Sequence, residues 1–495
     1  MHQLVAVVGA GTMGAGIAQA AALAGHPVLL LDAAPGAAGR AVAGIRQQVK
    51  ALAARGKIDT DPDSLELTPV DSLDALAPAR IVIEAIVEDL TAKRRLFSDL
   101  EQVVATDCVL ASNTSSLSPT IIGAGAAHPE RILGLHFFNP VPRMRLVEVI
   151  CGADTASEVA DQAAALVTAW GKTVVRAAPA PGFIVNRVAR PFYAEAWRLL
   201  EEQAATPETI DAVLTGAGGF PMGPFTLMDL IGHDVNEAVT RSVWTAFAHD
   251  PRFAPSPTQR SLVEAGRFGR KTGQGVYRYG PETRPPAVAP APPRPAPPKV
   301  IDHGAADLRA LMARTGVPIL DGRRDTGTIE LPGGALLVRS TGFTATELAA
   351  RHDLPVIVVD RTLDDTAATA IALAPCDTCP EPALTEAIGL LQAADLAVHV
   401  IDDAPGLIVT RTVAMLVNLA VDALHHGVAD AADIDTAMRL GAGHPLGPLT
   451  WGDRWGARTV HTILAALQDV YGDPRYRPSP LLRRRAQSGG RLTCP

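Results

Sequence analysis

Over the first 180 or so positions the apolar residues come in short, unbroken blocks; after that they spread into broad amphipathic stretches. Leu4–Val8 is a continuous apolar run, the pattern of a strand buried on both faces. The turn Gly9-Ala10-Gly11-Thr12-Met13-Gly14 follows at once, and Ile17–Leu23 continues as an Ala-rich helix. Pro27–Leu31 reads as a second buried strand, closed by Asp32. Further strands are expected at Ile81–Ala85, Val109–Ser112, Ile132–Leu135 and Leu146–Ile150, with helical stretches between several of them. That alternation predicts a parallel, doubly wound sheet. Beyond residue 180, Phe183–Gln203 and Pro207–Thr215 read as helices, and little strand signal follows up to about residue 280.

Residues 281–298 then place nine prolines in 18 positions, an extended, semi-rigid spacer with no core of its own. The chain behind it repeats part of the chain before it. Pro181–Arg187 (PGFIVNR) recurs as Pro405–Arg411 (PGLIVTR), an offset of 224 with five of seven residues kept. Pro221–Asp229 matches Pro445–Asp453 at the same offset, and Pro251–Pro257 matches Pro474–Pro480 at 223. A helical domain is therefore duplicated. Leu354–Asp360 (LPVIVVD) looks like a strand, but no glycine turn follows it. The expected layout is an α/β domain over 1–180, an all-α domain over 181–280, the spacer 281–298, a degenerate α/β segment over 299–403 and a second helical domain over 404–495.

Length and composition agree with this layout. A chain of 495 residues predicts about three or four domains. With 47% hydrophobic residues and 19% charged ones it is neither disordered nor fibrous. A net charge of −8 without a long Lys/Arg run argues against nucleic acid as a partner. The first residues lack a basic leader and no run reaches about 18 apolar residues, so a cytoplasmic location away from membranes is expected. Five cysteines form no disulfide framework, and Cys376-x-x-Cys379, flanked by Pro375 and Pro380, reads as a surface loop rather than a redox or zinc site.

Two clusters carry chemistry. Gly9, Gly11 and Gly14 sit between a strand and a helix, the arrangement that admits a pyrophosphate to a helix N-terminus. Asp32, 18 residues beyond Gly14, suits the two hydroxyls of an adenosine ribose and would repel a 2′-phosphate, which favours NAD over NADP. On these residues alone FAD stays open. His136 ends one strand and Glu148 lies in the next, a base with a partner that would fix its tautomer. Ser112-Asn113-Thr114-Ser115-Ser116 follows another strand at the same edge. Spacing alone equally allows a structural histidine and a helix cap or turn. No cluster with metal-ligand spacing is visible.

These segments resemble the 3-hydroxyacyl-CoA dehydrogenase family. The likeness runs through GAGTMGAGIA (9–18), EAIVEDLTAK (84–93), ASNTSSL (111–117), GLHFFNPVPRMRLVEVI (134–150), PGFIVNR (181–187), GAGGFPMGPFTLMD (216–229) and FGRKTGQGVYRY (268–279). The tandem layout, with PRYRPSPLLRRRA at 474–486, is similar to the long bacterial form of phenylacetate and adipyl-CoA breakdown. The resemblance implies NAD-dependent oxidation of (S)-3-hydroxyacyl-CoA to 3-oxoacyl-CoA, a step of β-oxidation and fatty acid metabolism. It implies His136 as the base, Glu148 as its charged partner, and Ser115 and Asn186 as the groups that orient the substrate oxygens. Asn139 would buttress the site; Gly9, Gly11, Thr12, Met13, Gly14, Asp32, Glu88, Lys93 and Asn113 would lie along NAD. Lys50, Arg55 and Lys57 fall where the family binds CoA phosphates, with Lys57 taken as a substrate contact; a solvated helix face is the alternative reading of the three. Arg143 or Arg145 is a candidate for reading a terminal carboxylate, and both 3-hydroxybutyryl and 3-hydroxyadipyl thioesters fit.

The second copy carries Thr410 at the place of Asn186 and shows no counterpart of His136 or Asp32, so it is expected not to catalyse. Its helices would instead supply the family's dimer contact within one chain, as a pseudo-dimer; a homo-oligomer is also compatible. Rival readings are a dehydrogenase of hydroxy acids lacking CoA and a silent NAD-binding scaffold. The intact set Ser115, His136, Glu148 and Asn186 opposes the scaffold.

Overall fold

Alternate residues of Val5–Val8 enter two different cores: Val5 and Val7 join one, Ala6 and Val8 the other. That is the signature of a strand covered on both faces. The computed structural model describes residues 3–280, 287–323 and 325–494, and the chain divides into two compact units, Met1–Arg187 with His426–Ala442 and Val188–His425 with Gly443–Pro495.

The first unit is built on an eight-stranded sheet in the order β3-β2-β1-β4-β5-β6-β7-β8. The strands are β1 (Val5–Val8), β2 (Val28–Leu31), β3 (Leu67–Val70), β4 (Ile81–Glu84), β5 (Val109–Ser112), β6 (Ile132–Phe137), β7 (Leu146–Cys151) and β8 (Thr173–Ala177). Helices Thr12–Leu23 and Ala37–Ala54 cover one face through Ile17, Ala21, Val42, Ile45 and Val49. Helix Leu90–Glu101 covers the other through Phe97 and Leu100. The expectation of a wholly parallel sheet fails at one point, because β7 runs antiparallel to β6. Only residues 138–145 separate the two strands. A parallel return needs a crossover of a dozen or more residues, so this connection can only be a hairpin.

Residues 426–442 of the second copy belong to this unit. The Ala178 N–H donates to Val428 O at 2.7 Å, and the Arg176 N–H donates to the Asp433 carboxylate at 2.8 Å. Helix Ala431–Gly441 packs on β7 and β8.

The single helix expected over Phe183–Gln203 is two helices: Val185–Val188, at the end of the first unit's main segment and preceded by a turn in which Gly182 (φ +72°) and Phe183 (φ +46°) are left-handed, and Arg190–Glu201 in the second unit. Pro191, which has no N–H to give, sits at the start of the second helix. A seven-stranded sheet follows in the order β10-β9-β11-β12-β13-β14-β15. Its strands are β9 (Val300–His303), β10 (Ile319–Asp321), β11 (Thr328–Glu330), β12 (Leu336–Arg339), β13 (Val356–Val359), β14 (Ala370–Pro375) and β15 (Ala397–Val400). β12–β15 repeat the parallel, antiparallel, parallel pairing of β5–β8. The half of the fold that would carry a glycine turn is replaced by β9–β11.

Helix Val409–His425 is buried along nearly its whole length, which its apolar surface on all sides requires. It packs on Arg190–Glu201 of the first copy, and the fully buried Arg411 reaches Glu195 at 3.1 Å, Glu202 at 3.0 Å and the Tyr476 hydroxyl at 2.7 Å. The two helical copies therefore share a polar centre inside one unit. Of the proline spacer, 281–286 lie outside the described residues, and 287–298 form neither helix nor strand. This stretch is held to β15 by the Ala291 N–H on Val398 O (2.7 Å) and to the end of helix Glu381–Gln392 by the Arg294 N–H on Gln392 (2.8 Å). The Cys376–Cys379 turn ends β14 with Cys376 buried, not on the surface as expected; both thiols are free. Among the described residues no His/Cys/Asp/Glu group could hold a metal ion, and no helix is long and apolar enough to cross a membrane.

Candidate active site

The glycine turn between β1 and helix Thr12–Leu23 is dictated by contact. A Cβ on Gly14 would lie 1.7 Å from Gly9 O. One on Gly9, at φ +103°, would lie 2.6 Å from Ala85 O. Gly11 differs: nothing lies within 4 Å of its Cβ position, and as N-cap it has no side-chain cap, so the first helical N–H groups face open space. A cleft of about 650 Å³ runs from Gly9 and Gly11 past Asp32 to Val87. The Asp32 carboxylate is fixed at its edge by the N–H groups of Ala10 (2.6 Å) and Ala34 (2.8 Å). An uncapped helix start beside a positioned carboxylate fits a dinucleotide with an unmodified ribose. Asp32→Ala should raise the NADP-to-NAD ratio of kcat/KM by about 10-fold, since a like charge no longer opposes the 2′-phosphate. An unchanged ratio in steady-state assays with both cofactors would remove Asp32 from that role.

Glu88 organises the loop after β5. It accepts from the Thr114 hydroxyl (2.6 Å), the Ser116 hydroxyl (2.8 Å) and the Ser115 and Ser116 N–H groups (3.1 Å each). Burial pushes its carboxyl up, but the Thr114 hydroxyl and the charge of Lys93 outweigh this and hold it below the usual range. Lys93 is itself buried, with its ammonium between Glu84 (2.7 Å) and Glu88 (3.3 Å), and the Ser112 hydroxyl closes on Glu84. Glu84, which sequence reasoning passed over, is thus the hub under this loop. The Asn113 carbonyl accepts the Phe137 N–H at 2.8 Å and ties the loop to the end of β6. Ser115 is thereby held at the same sheet edge as His136, and its hydroxyl takes no part in the turn.

His136 and Glu148 are register partners across the β6–β7 hairpin. The His136 Nδ1–H donates to Glu148 Oε2 at 2.6 Å, which leaves Nε2 as the basic nitrogen; both residues are buried. The other oxygen of Glu148 accepts the N–H groups of Ile184 and Val185, each at 3.0 Å. The left-handed turn at Gly182-Phe183 aims those amides, and Asn186 is the next residue. One carboxylate therefore sets both the imidazole and the segment that carries Asn186. The rings of Phe138 and Phe183 flank the imidazole at 4.4 and 5.7 Å. Asn139 is exposed and borders a second cleft, of about 370 Å³, with Gly11, Thr12, Gln19 and Gln48. Lys50, Arg55 and Lys57 are exposed at and beyond the end of helix Ala37–Ala54, and Arg143 and Arg145 are exposed on the β6–β7 loop.

Comparison with known proteins bears on this geometry. Residues 4–179 match the NAD binding domain of 3-hydroxyacyl-CoA dehydrogenase; 182–279 and 406–493 both match its C-terminal domain, and 337–405 match the 3-hydroxybutyryl-CoA dehydrogenase reduced Rossmann-fold domain. The 3-hydroxyadipyl-CoA dehydrogenase of Escherichia coli (strain K12) is 46% identical over 98% of this chain and 97% of that protein. The chain belongs to the 3-hydroxyacyl-CoA dehydrogenase family. A crystal structure of 3-hydroxybutyryl-CoA dehydrogenase from E. coli K12 covers 99% of both chains at 45% identity with a TM-score of 0.91. The human mitochondrial hydroxyacyl-coenzyme A dehydrogenase is 38% identical over 56% of this chain and 90% of its own length. This dehydrogenase thus has the order read from its sequence: an NAD-binding Rossmann domain, a helical domain, a reduced Rossmann segment and a second helical domain.

The reduced segment holds a counterpart of His136 that the motif search did not find. At the same offset of 224, His136 corresponds to Asp360 and Glu148 to Ala372. Asp360 pairs with β14 as His136 pairs with β7, its N–H on Ala372 O at 3.0 Å. Its carboxylate accepts the N–H groups of Ile408 (3.0 Å), Val409 (2.7 Å) and Thr410 (2.9 Å), and the Thr410 hydroxyl (2.7 Å). The turn before them is again left-handed, at Gly406 and Leu407. A carboxylate again anchors the turn, and among the described residues no imidazole stands beside it. A comparison of positions at fixed offset, rather than of motifs, would have found it.

Proposed function

We propose that this dehydrogenase oxidises the C3 hydroxyl of (S)-3-hydroxyacyl-CoA thioesters of the butyryl or adipyl class, at a single active site in the first copy. The observation that carries this reading is the His136–Glu148 pair with Glu148 anchored by Ile184 and Val185. Bound NAD supplies the hydride acceptor. His136 Nε2 takes the hydroxyl proton, and Glu148 stabilises the imidazolium that forms. Ser115 and Asn186 orient the oxygen so that C3 faces the nicotinamide, and the Phe138 and Phe183 rings limit water around the imidazole.

The cleft beside Asn139 supports a CoA substrate over a small hydroxy acid. Gln19 lines it with its amide nitrogen buried and without a partner, a donor suited to a pantetheine carbonyl. From Gln48 on that cleft, the helix carries the path about 10 Å to Arg55, where exposed cations await phosphates. The name of the 46% identical relative, 3-hydroxyadipyl-CoA dehydrogenase, favours a dicarboxylic acyl chain, and Arg143 and Arg145 are the candidates to read it. The test is NADH oxidation on addition of acetoacetyl-CoA, followed by a series of 3-hydroxyacyl-CoA lengths with and without a terminal carboxylate. Turnover of free hydroxy acids but not of thioesters would overturn the reading.

A further inference from the structure

The reduced Rossmann segment has lost its base and its glycine turn, yet it keeps a cavity of about 200 Å³ at the carboxyl ends of β12 and β13. That edge is where sheets of this type take ligands. Arg339 ends β12 and Arg361 follows Asp360; helices Pro448–Trp455 and Ala457–Tyr471 bring Arg454, Trp455 and Thr459.

The charges on the wall do not balance. Arg339, with its side chain 6% exposed, is fully engaged by the Asp365 carboxylate and the carbonyls of Asp307 and Asp360. Arg361, 10% exposed, gives Nε to Ser340 O (3.0 Å) and Nη2 to Asp307 (2.9 Å), while Asp307 is itself 59% exposed. Trp455 holds the Arg361 guanidinium, 5.5 Å from ring centre to Cζ. Arg454, exposed, gives only Nη1, to Leu363 O at 2.9 Å. On the lining itself three guanidiniums face two carboxylates, Asp307 and Asp365; Asp360 accepts its hydrogen bonds from the amides of 408–410 while its charge still acts on Arg361, and Asp364, outside the lining, acts on Arg454. Among the described residues, Arg361 Nη1 and Arg454 Nε and Nη2 are donors with no protein acceptor. Burial pushes the Arg361 guanidinium below its ordinary value, the expected cost of a cation that lacks a full set of partners.

We propose that this cavity binds a compact oxyanion, of phosphate or carboxylate type, between Arg361 and Arg454. Its size, below the roughly 300–1,000 Å³ of pockets for drug-sized ligands, suits a free phosphate or a short dicarboxylate. The bound anion would complete the coordination of Arg361 and clamp the end of β13 to the second helical copy.

The experiment is calorimetric titration of the full chain saturated with NADH, so that the glycine turn is already filled, with inorganic phosphate and with succinate at constant ionic strength. At least one should bind, and Arg454→Ala should weaken it about 10-fold, the loss of a charge-assisted hydrogen-bond pair, without changing turnover. Phosphate binding alone would assign a tetrahedral anion, succinate alone a carboxylate, and both a general oxyanion site. Binding of neither, or binding that Arg454→Ala leaves unchanged, would overturn the proposal.

Discussion

His136→Ala should lower kcat by about 10²–10⁴-fold while NADH binding stays near that of the unchanged enzyme. The two halves of this expectation come from different parts of the sheet. The cofactor cleft is lined from β1 and β2 with the turns after them, the segments after β3 and β4, and Leu96, whereas the imidazole's hydrogen-bond and ring partners are Glu148, Phe138 and Phe183. The proton, by contrast, has no other buried acceptor on the β6–β7 hairpin: Glu148 spends one oxygen on Ile184 and Val185 and the other on His136 itself. Removing the ring leaves a buried Glu148 oxygen unpaired, at about 1–3 kcal/mol of stability. The variant must therefore be assayed well below its melting temperature, with NADH fluorescence titration alongside turnover. Turnover within a few-fold of the unchanged enzyme would show that His136 is not the base, and a matching loss of NADH affinity would show that the site had collapsed.

Much of the first half was legible because each local signal had one structural solution. A glycine turn between a buried strand and a helix packs only with Gly14 against Gly9 O. The His136–Glu148 pair was legible as two residues but not as a hairpin, since the alternation of strand and helix pointed to a parallel sheet; the eight residues 138–145 were the overlooked signal. Lys93 matched a motif, and only the fold shows its ammonium spent between Glu84 and Glu88. Asp360 was hidden because it stands at the place of His136 and takes over the amide contacts that Glu148 makes in the first copy, while Glu148's own place is Ala372. Least legible was the passage of residues 426–442 into the first unit. A linear reading assigns a repeat to its own domain, and nothing local in Ala431–Gly441 says which sheet it will cover.

That placement sets a residue of the second copy against the elements that carry His136 and Glu148. Gly441 ends the helix that packs on β7, and a Cβ there would lie 2.5 Å from Leu146 Cδ2 and 2.9 Å from Val185 Cγ2, with the Phe138 ring tip at 3.6 Å. Leu146 begins the strand that carries Glu148, the Val185 N–H is held by Glu148, and Phe138 packs on His136. Gly441→Leu forces these neighbours apart, at about 1–3 kcal/mol for overpacking. A shift of about 1 Å in a catalytic group costs up to 10²-fold. The expected result is a fall in kcat of about 10–100-fold with little change in NADH affinity. Gly216 provides the control. It ends the corresponding helix of the first copy, and a Cβ there would lie 2.6 Å from Ala370 Cβ, on the strand of the reduced segment that corresponds to β7. At the offset of 224 the counterpart of Gly441 is Ala217, one residue on, so Gly216→Leu is a similar overpacking behind a strand without the His–Glu pair; it should lower the melting temperature and leave kcat per folded enzyme unchanged. Equal effects of the two substitutions on kcat would mean that Gly441 acts through general stability and not through the hairpin of His136 and Glu148.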